Sequence, residues 1–166
     1  MGSEMCIRDR SWNVYHFHDT SESAPVKKSR DISDNLYLRP DASNLAAFLY
    51  LLQQTKKQHY EAIRDIIRLV TPFFDDFLLR PHPENENMIR LEWREKGSDY
   101  PFQAYHLSDG TLRFICLATL LLQPELPSTI LIDEPELGLH PYAIVILGSL
   151  MPVSYTHLTL PTIYSA

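Results

Sequence analysis

The amino-acid sequence predicts an α/β fold with parallel core strands and helices, together with a small helical and antiparallel β insertion. The order of the last elements predicts the core: an apolar helix at 111–122, a short strand at 129–132 and a helix at 141–150. The continuous apolar run at 129–132 is typical of a parallel strand buried on both faces. Pro141 stands where proline favours a first helical turn. Period-two alternation at 88–94 predicts the antiparallel part.

The segment at 11–19 is rich in aromatic residues that alternate with polar ones, which predicts a short strand or an extended stretch. The polar stretch that follows, 20–40, predicts a surface loop. It contains a basic cluster of Lys27, Lys28 and Arg30. This cluster could contact a phosphate backbone, but a solvated loop is the better interpretation.

Two helices are predicted next by apolar residues at helical spacing. The first covers 41–54, with Asp41 or Ser43 available as the N-cap. The second covers 60–70, and Pro72 ends or bends it.

Three strand candidates follow these helices, at 77–80, 88–94 and 102–106. The Gly-Ser-Asp sequence at 97–99 predicts a hairpin loop between the second and the third. The alternation of Ile, Leu and Trp with charged residues in the second candidate predicts one apolar face and one polar face.

The composition argues against several classes of protein. A net charge of −6 and a pI near 5.6 argue against a surface that binds nucleic acid throughout, although a local basic stripe is compatible with them. No apolar run approaches the roughly 20 residues that span a bilayer. Two cysteines imply no disulfide framework, and no signal peptide is visible, so we expect a cytoplasmic protein.

An acidic pair, Asp133 and Glu134, follows the predicted strand at 129–132. Carboxylates at the edge of a buried strand are unfavourable unless a charge offsets them, and a divalent cation would do so. Asp133 would then hold Mg²⁺ through water, and Glu134 would polarise the water that attacks the γ-phosphate of ATP. The alternative is an acidic turn without chemistry.

A second candidate site lies at the start of the helix at 111–122. Ser108 offers a hydroxyl, Gly110 leaves the backbone accessible, and the free amides of a helix start bind anions. Plain capping of the helix by Ser108 or Asp109 is the alternative. The pairing of this helix start with the acidic strand end is more specific than either feature alone.

These motifs resemble those of a known superfamily. Residues 107–111 (LSDGT) resemble the signature of ABC-class ATPases, usually Leu-Ser-Gly-Gly-Gln, and residues 130–141 (ILIDEPELGLHP) resemble the Walker B strand and D-loop of RecF/SMC-like ATPases. The chain is also similar to predicted bacterial AAA-type ATPases of the ABC superfamily over residues 11–152. The resemblance implies a partial P-loop NTPase domain of ABC type, with an arm at about 41–106 and a signature-to-D-loop segment at 107–141.

The resemblance also implies ATP and Mg²⁺ as ligands and a role for each matched residue. Glu134 would be the catalytic base and Asp133 the residue that supports Mg²⁺. In a homodimer, the residues nearest to ATP bound by the opposite subunit would be Ser108, Asp109 and Gly110. The D-loop, which would cross the dimer interface, contains Gly138 and His140.

Asp109 departs from the signature pattern, in which glycine is usual. A carboxylate near a γ-phosphate is repulsive unless it points away, so we expect Asp109 to cap the helix. The Asp-Gly pair and the ELGLHP continuation at 136–141 disfavour a membrane transporter.

Three functions are compatible with these motifs. The first is an ATP-hydrolysing engine in DNA repair, chromosome maintenance or phage defence, with DNA or an effector protein as a further partner. The second is an ATP-gated binding clamp, and the third is a non-hydrolysing scaffold. Fold analogy alone suggests the biological setting.

The sequence contains no GxxxxGK[ST] loop to cradle phosphates. We therefore expect a fragment, inactive by itself, with Walker A upstream of Ser11 and the switch histidine beyond Pro152.

Residues 5–9 can be encoded by DNA whose reverse complement encodes residues 153–157, and that DNA resembles a transposon end used in sequencing adapters. The predicted adapter translations are residues 1–10 and 153–166.

Other candidate residues have structural explanations. His16 and His18 would face the same way on a strand and could bind a metal, but no third ligand is identifiable, so packing is the better interpretation. His106, just before the signature, is more typical of a structural residue. Cys116 lies within an apolar helix, which predicts an inert core thiol.

Overall fold

The computed structural model describes residues 13–151. Within them the helices are α1 Leu45–Thr55, α2 Lys57–Val70, α3 Asp109–Leu122 and α4 Pro141–Leu150. The strands are β1 Asn13–Tyr15, β2 Arg30–Asp31, β3 Phe74–Phe77, β4 Pro81–His82, β5 Asn85–Ile89, β6 Glu92–Glu95, β7 Phe102–Gln103 and β8 Ile130–Ile132. The predicted adapter translations at 1–10 and 153–166 lie outside the described residues.

A parallel strand pair, β1 and β8, positions the acidic residues. Tyr15 is in register with Ile132, and Val14 with Leu131. The mixed α/β architecture and the strand at 129–132 are therefore confirmed, but burial of that strand on both faces was a wrong prediction. Val14 and Leu131 are 40% and 41% exposed, because β1 and β8 pair only with each other among the described strands and one face of the pair is uncovered.

The helix α2 matches its prediction closely. Its buried face carries Tyr60, Ile63 and Ile67, and it ends at Val70, just before Pro72. The helix α3 is also confirmed and is buried along most of its length, from Leu112 to Leu120. Apolar periodicity located α2, and a strongly apolar run located α3. Both signals are local properties of the sequence.

The N-cap of α1 was predicted wrongly. The cap is Asn44, and neither Asp41 nor Ser43 occupies that position. The Asn44 side chain binds the preceding loop instead of the helix: it accepts a hydrogen bond from the Arg39 amide and donates to the carbonyls of Asp34 and Tyr37. This use of Asn44 anchors the loop that leads into α1.

Two antiparallel sheets of three strands each, β2-β5-β4 and β3-β6-β7, form the insertion. The single strand predicted at 88–94 is divided, because β5 ends at Ile89 and β6 begins at Glu92 in the other sheet. The apolar residues of both halves are nevertheless buried. Glu92, on the predicted polar face, is also buried and is held by the guanidinium groups of Arg80 and Arg90.

The remaining strand predictions are confirmed in part. The strand predicted at 77–80 lies earlier, as β3, and β7 ends at Gln103, where a 3₁₀ turn at Ala104–His106 follows. The hairpin between β6 and β7 is confirmed, with Gly97 at a φ of +78°. A positive φ is a conformation that glycine adopts at little cost.

The stretch 20–40 is less solvated than predicted. It contains the short strand β2 and a 3₁₀ turn at Pro25–Lys27, and it buries apolar side chains of Ala24, Val26 and Leu38.

Among the described helices, none has both the length and the apolar character that crossing a bilayer requires.

Candidate functional site

The acidic pair lies directly beyond the C-terminal end of β8. The Asp133 amide is 3.5 Å from the Tyr15 carbonyl oxygen, so the contact between the two strands reaches the first acid. Both acidic side chains are exposed, with 60% of the Asp133 side chain accessible. Glu134 has a φ of +42°, and its carbonyl accepts a hydrogen bond from the Leu137 amide in the turn that follows. A left-handed backbone conformation is strained for a residue other than glycine.

Two histidines lie beside Asp133, and this corrects the interpretation that no third ligand accompanies them. His18 Nε2 is 3.4 Å from Asp133 Oδ2, and His16 Nδ1 is 3.9 Å from the same oxygen. The three side chains offer one ligand atom each, and these atoms all lie within 4.8 Å of one another. The third ligand was missed because it is far away in the sequence and adjacent only through the pairing of β1 with β8.

The start of α3 is capped by Ser108. Its Oγ accepts a hydrogen bond from the Thr111 amide at 3.2 Å and lies 2.8 Å from the Thr111 hydroxyl. Capping by Asp109 was therefore a wrong prediction, because Asp109 is already the first helical residue. Its carboxylate lies 3.9 Å from Lys27 Nζ instead.

Lys27 differs from the solvated residue that the loop composition predicts. Only 8% of its side chain is exposed, and its ammonium group also donates a hydrogen bond to the Thr20 carbonyl. The positive charge of Lys27 offsets the extra carboxylate that Asp109 brings to the helix start.

The helix start and the loop after the acidic pair touch through two glycines. A β carbon at Gly110 would overlap the carbonyl oxygen of Gly138. Gly138 itself has a φ of +72°, and a β carbon there would lie 2.7 Å from Nη1 of Arg113. Gly110 therefore favours glycine for packing, and Gly138 favours it because of its positive φ. The contact brings residues 108–110 close to the loop that Glu134 begins.

Arg113 is the organising residue that sequence reasoning missed. Its guanidinium group donates three hydrogen bonds to backbone carbonyls: those of Phe17, His18 and Leu137, at 3.0, 2.9 and 2.7 Å. It thus ties α3 to the end of β1 and to the loop after Glu134. The only available signal was a charged residue on an otherwise apolar helix, which indicates a buried polar role.

The other predicted residues have local structural roles. His140 is the N-cap of α4, and its Nδ1 accepts a hydrogen bond from the Tyr142 amide at 3.2 Å. His106 Nδ1 accepts from the Gln103 amide, which agrees with a structural residue. Burial raises the pKa of the Cys116 thiol to about 12, so it is protonated and inert at neutral pH.

The donor atoms around Asp133 fit Mg²⁺ in part. The exposed carboxylate leaves space for the waters and phosphate oxygens that Mg²⁺ retains. The two nearest side chains, His16 and His18, offer imidazole nitrogens, which suit zinc-like ions better than Mg²⁺.

A protein-family model described as "AAA domain, putative AbiEii toxin, Type IV TA system" matches residues 10–159. Because the match covers most of the 166 residues, the chain belongs to this AAA-domain family. Membership suggests ATPase activity and implies a nucleotide, typically used with Mg²⁺. No curated protein and no solved structure matches the chain. The match continues past Pro152, so it does not support an adapter boundary there.

Proposed function

We propose that this chain carries the signature and Walker B parts of an ABC-class, RecF/SMC-like ATPase that hydrolyses ATP as a homodimer. In this proposal, Asp133 supports Mg²⁺ and Glu134 is the general base. The nucleotide bound by the partner subunit contacts Ser108 and Gly110. The GxxxxGK[ST] loop, which these 166 residues lack, belongs to the intact gene product.

The observation that carries the proposal is the contact between Gly110 and Gly138. It joins the helix start, which is the proposed anion site, to the loop that follows the acidic pair. Arg113 strengthens the same junction by binding the Leu137 carbonyl from α3.

The chemistry follows from the exposed groups at this junction. The Glu134 carboxylate accepts a proton from water as that water attacks the γ-phosphate. Asp133 would hold Mg²⁺, and the ion would neutralise charge that develops on the phosphate oxygens. Either hydroxyl can donate in the hydrogen bond between Ser108 and Thr111. When the Thr111 hydroxyl donates, the Ser108 hydroxyl is free to donate its own hydrogen to a phosphate oxygen.

The proposed partner is a second copy of the protein. Ser108, Asp109, Gly138 and His140 are all exposed on the described residues, as a surface that receives the nucleotide of another subunit requires. Coupling of hydrolysis to DNA repair, chromosome maintenance or phage defence, with DNA or an effector protein as partner, belongs to the same proposal and rests on resemblance alone.

The test is ATP turnover by the intact gene product carrying Glu134→Gln, with Glu136→Gln as the matched control in the same exposed loop. We expect loss of about 10²-fold or more for Glu134→Gln, the typical contribution of a general base, and little change for the control. Equal turnover in both variants contradicts the proposal. Retained dimerisation with ATP in Glu134→Gln, together with retained partner binding, favours the clamp.

A further inference from the structure

We propose that His16, His18 and Asp133 form a binding site for a divalent transition metal of the zinc class. The site requires no nucleotide, and it belongs to the chain independently of ATP hydrolysis, although it shares Asp133 with the proposed function. Two imidazoles and one carboxylate are a ligand set that occurs at zinc and related sites in which further positions stay open to water.

The distances between the ligand atoms are close to those of a bound ion. Two ligands of one tetrahedral zinc ion lie about 3.3–3.5 Å apart when the metal–ligand bonds are about 2.0–2.1 Å. His18 Nε2 and Asp133 Oδ2 are 3.4 Å apart, and His16 Nδ1 lies 3.9 Å from the same oxygen. The widest separation in the set is within 4.8 Å, so small side-chain rotations bring all three atoms onto one ion.

The backbone holds the three residues in place before any metal arrives. The His16 amide donates to the Pro40 carbonyl at 2.9 Å, and the His18 carbonyl accepts from Arg113. Asp133 is placed by the register of β8 with β1, one residue beyond the pair of Tyr15 and Ile132. Ligands on a fixed backbone lose little conformational freedom on binding, which favours affinity.

The burial of one ligand atom points to a missing partner. His18 Nε2 is buried without a hydrogen-bond partner among the described residues, because its 3.4 Å approach to Asp133 lacks hydrogen-bond geometry. A buried polar atom left unsatisfied is unfavourable and calls for an explanation. A neutral imidazole that carries its proton on Nδ1 presents a lone pair at Nε2, and a metal ion would satisfy it.

The chemistry of the donors selects the class of metal. Mg²⁺ takes oxygen ligands, whereas imidazole suits zinc, copper, iron and nickel. Both Asp133 and His16 are exposed, so an ion from solution can reach the site, and the carboxylate offsets part of its charge. The set therefore favours a zinc-class ion over Mg²⁺ when no phosphate oxygen is present.

The experiment uses the full 166-residue chain with no affinity tag and no nucleotide. Calorimetric titration with ZnCl₂, and absorption spectra with CoCl₂, should reveal one site per chain that Mg²⁺ displaces poorly. We expect His18→Ala and Asp133→Asn each to weaken Zn²⁺ binding at least about 10-fold, since even the loss of a group that orients a ligand has an effect of about 10- to 100-fold.

The control is His82→Ala, which removes a histidine of the antiparallel sheet that is not part of the cluster. Circular dichroism and thermal unfolding without metal check that each variant is folded. A His16→Ala variant provides a second ligand deletion if His18→Ala alters the fold. Glu134→Gln should leave Zn²⁺ binding unchanged while it removes the proposed ATP turnover of the intact protein, so the two proposals fail separately.

Equal Zn²⁺ affinity in His18→Ala, Asp133→Asn and His82→Ala would overturn the inference. So would Mg²⁺ binding of equal strength to Zn²⁺ in the absence of nucleotide. Loss of binding only in Glu134→Gln would also overturn it, since that residue is outside the cluster.

Discussion

Gly110 lies so close to Gly138 that the carbonyl oxygen of Gly138 occupies the space where a β carbon of residue 110 would be. Any larger residue at 110 must push the start of α3 away from the loop after Glu134. The contact therefore fixes the distance between the signature-like segment at 107–111 and the loop of the segment at 130–141.

Gly110→Ala should destabilise the chain by about 1–3 kcal/mol, the usual effect of overpacking, because backbone atoms must move. Urea unfolding followed by circular dichroism measures the free energy of unfolding. The matched control is Gly148→Ala, in α4, where a β carbon meets nothing within 4 Å. Alanine there should be neutral or stabilising by about 0.5–1 kcal/mol. Equal stability of the two variants would show that the contact is not tight.

Arg113→Lys should destabilise the chain although it conserves the charge. The planar guanidinium group donates to three carbonyls at once. The lysine side chain ends in one compact ammonium group, which cannot reach all three carbonyls. The bonds to the Phe17 and His18 carbonyls are part-buried, so leaving either carbonyl without a donor costs at most about 1–3 kcal/mol. Chemical unfolding measures this effect.

Arg39→Lys is the control for that variant, because Arg39 binds the side chain of Asp34 at an exposed position. An exposed ion pair contributes little, so we expect almost no change in unfolding. If the two lysine variants unfold alike, Arg113 does not hold the junction together.

The sequence predicted the elements that depend on local patterns. Apolar residues at helical spacing located α2, a strongly apolar run located α3, and Pro141 marked the first residue of α4. A run of apolar residues followed by two acids located β8 and the acidic strand end. Each of these signals is contained within a few consecutive residues, so no knowledge of the tertiary structure was needed.

The parts that escaped prediction depend on residues distant in the sequence. Arg113 binds His18 across 95 residues, and the His16–His18–Asp133 cluster exists only because β1 pairs with β8. The division of the strand at 88–94 was missed because apolar alternation continues through Arg90 and Leu91, which belong to neither strand. Asn44 was missed as a cap because its side chain serves the loop before α1.

The stability of the chain should fall as the pH rises from about 9 to about 12 because of Cys116. Burial raises the pKa of this thiol in the folded chain from 9.0 to about 12. Above pH 9 the unfolded thiol loses its proton while the folded thiol keeps it, so the unfolded state gains stability. One such group lowers the free energy of unfolding by at most about 1.4 kcal/mol per pH unit.

Unfolding free energies measured from pH 7 to pH 10 in a Cys6→Ala background test this effect, so that Cys116 is the only thiol present. A further Cys116→Ala substitution should lower the free energy of unfolding at every pH. It should also make that free energy depend less steeply on pH above pH 8.5. An unchanged slope would mean that the thiol is not shielded from water.

Glu134→Gly should be more stable than Glu136→Gly by about 1–2 kcal/mol. Glu134 has a left-handed φ of +42°, whereas Glu136, in the same exposed loop, does not have a positive φ. A left-handed conformation costs a non-glycine residue about 1–2 kcal/mol, and glycine relieves that cost only at position 134. Urea unfolding of the two variants gives the difference directly.

Glu134→Gln keeps the strain and should unfold like the wild type. Because the proposed ATP turnover is lost in both Glu134 variants, a gain in stability for glycine alone separates backbone strain from the chemistry of the carboxylate. Equal unfolding of the two glycine variants would mean that no strain is stored at Glu134.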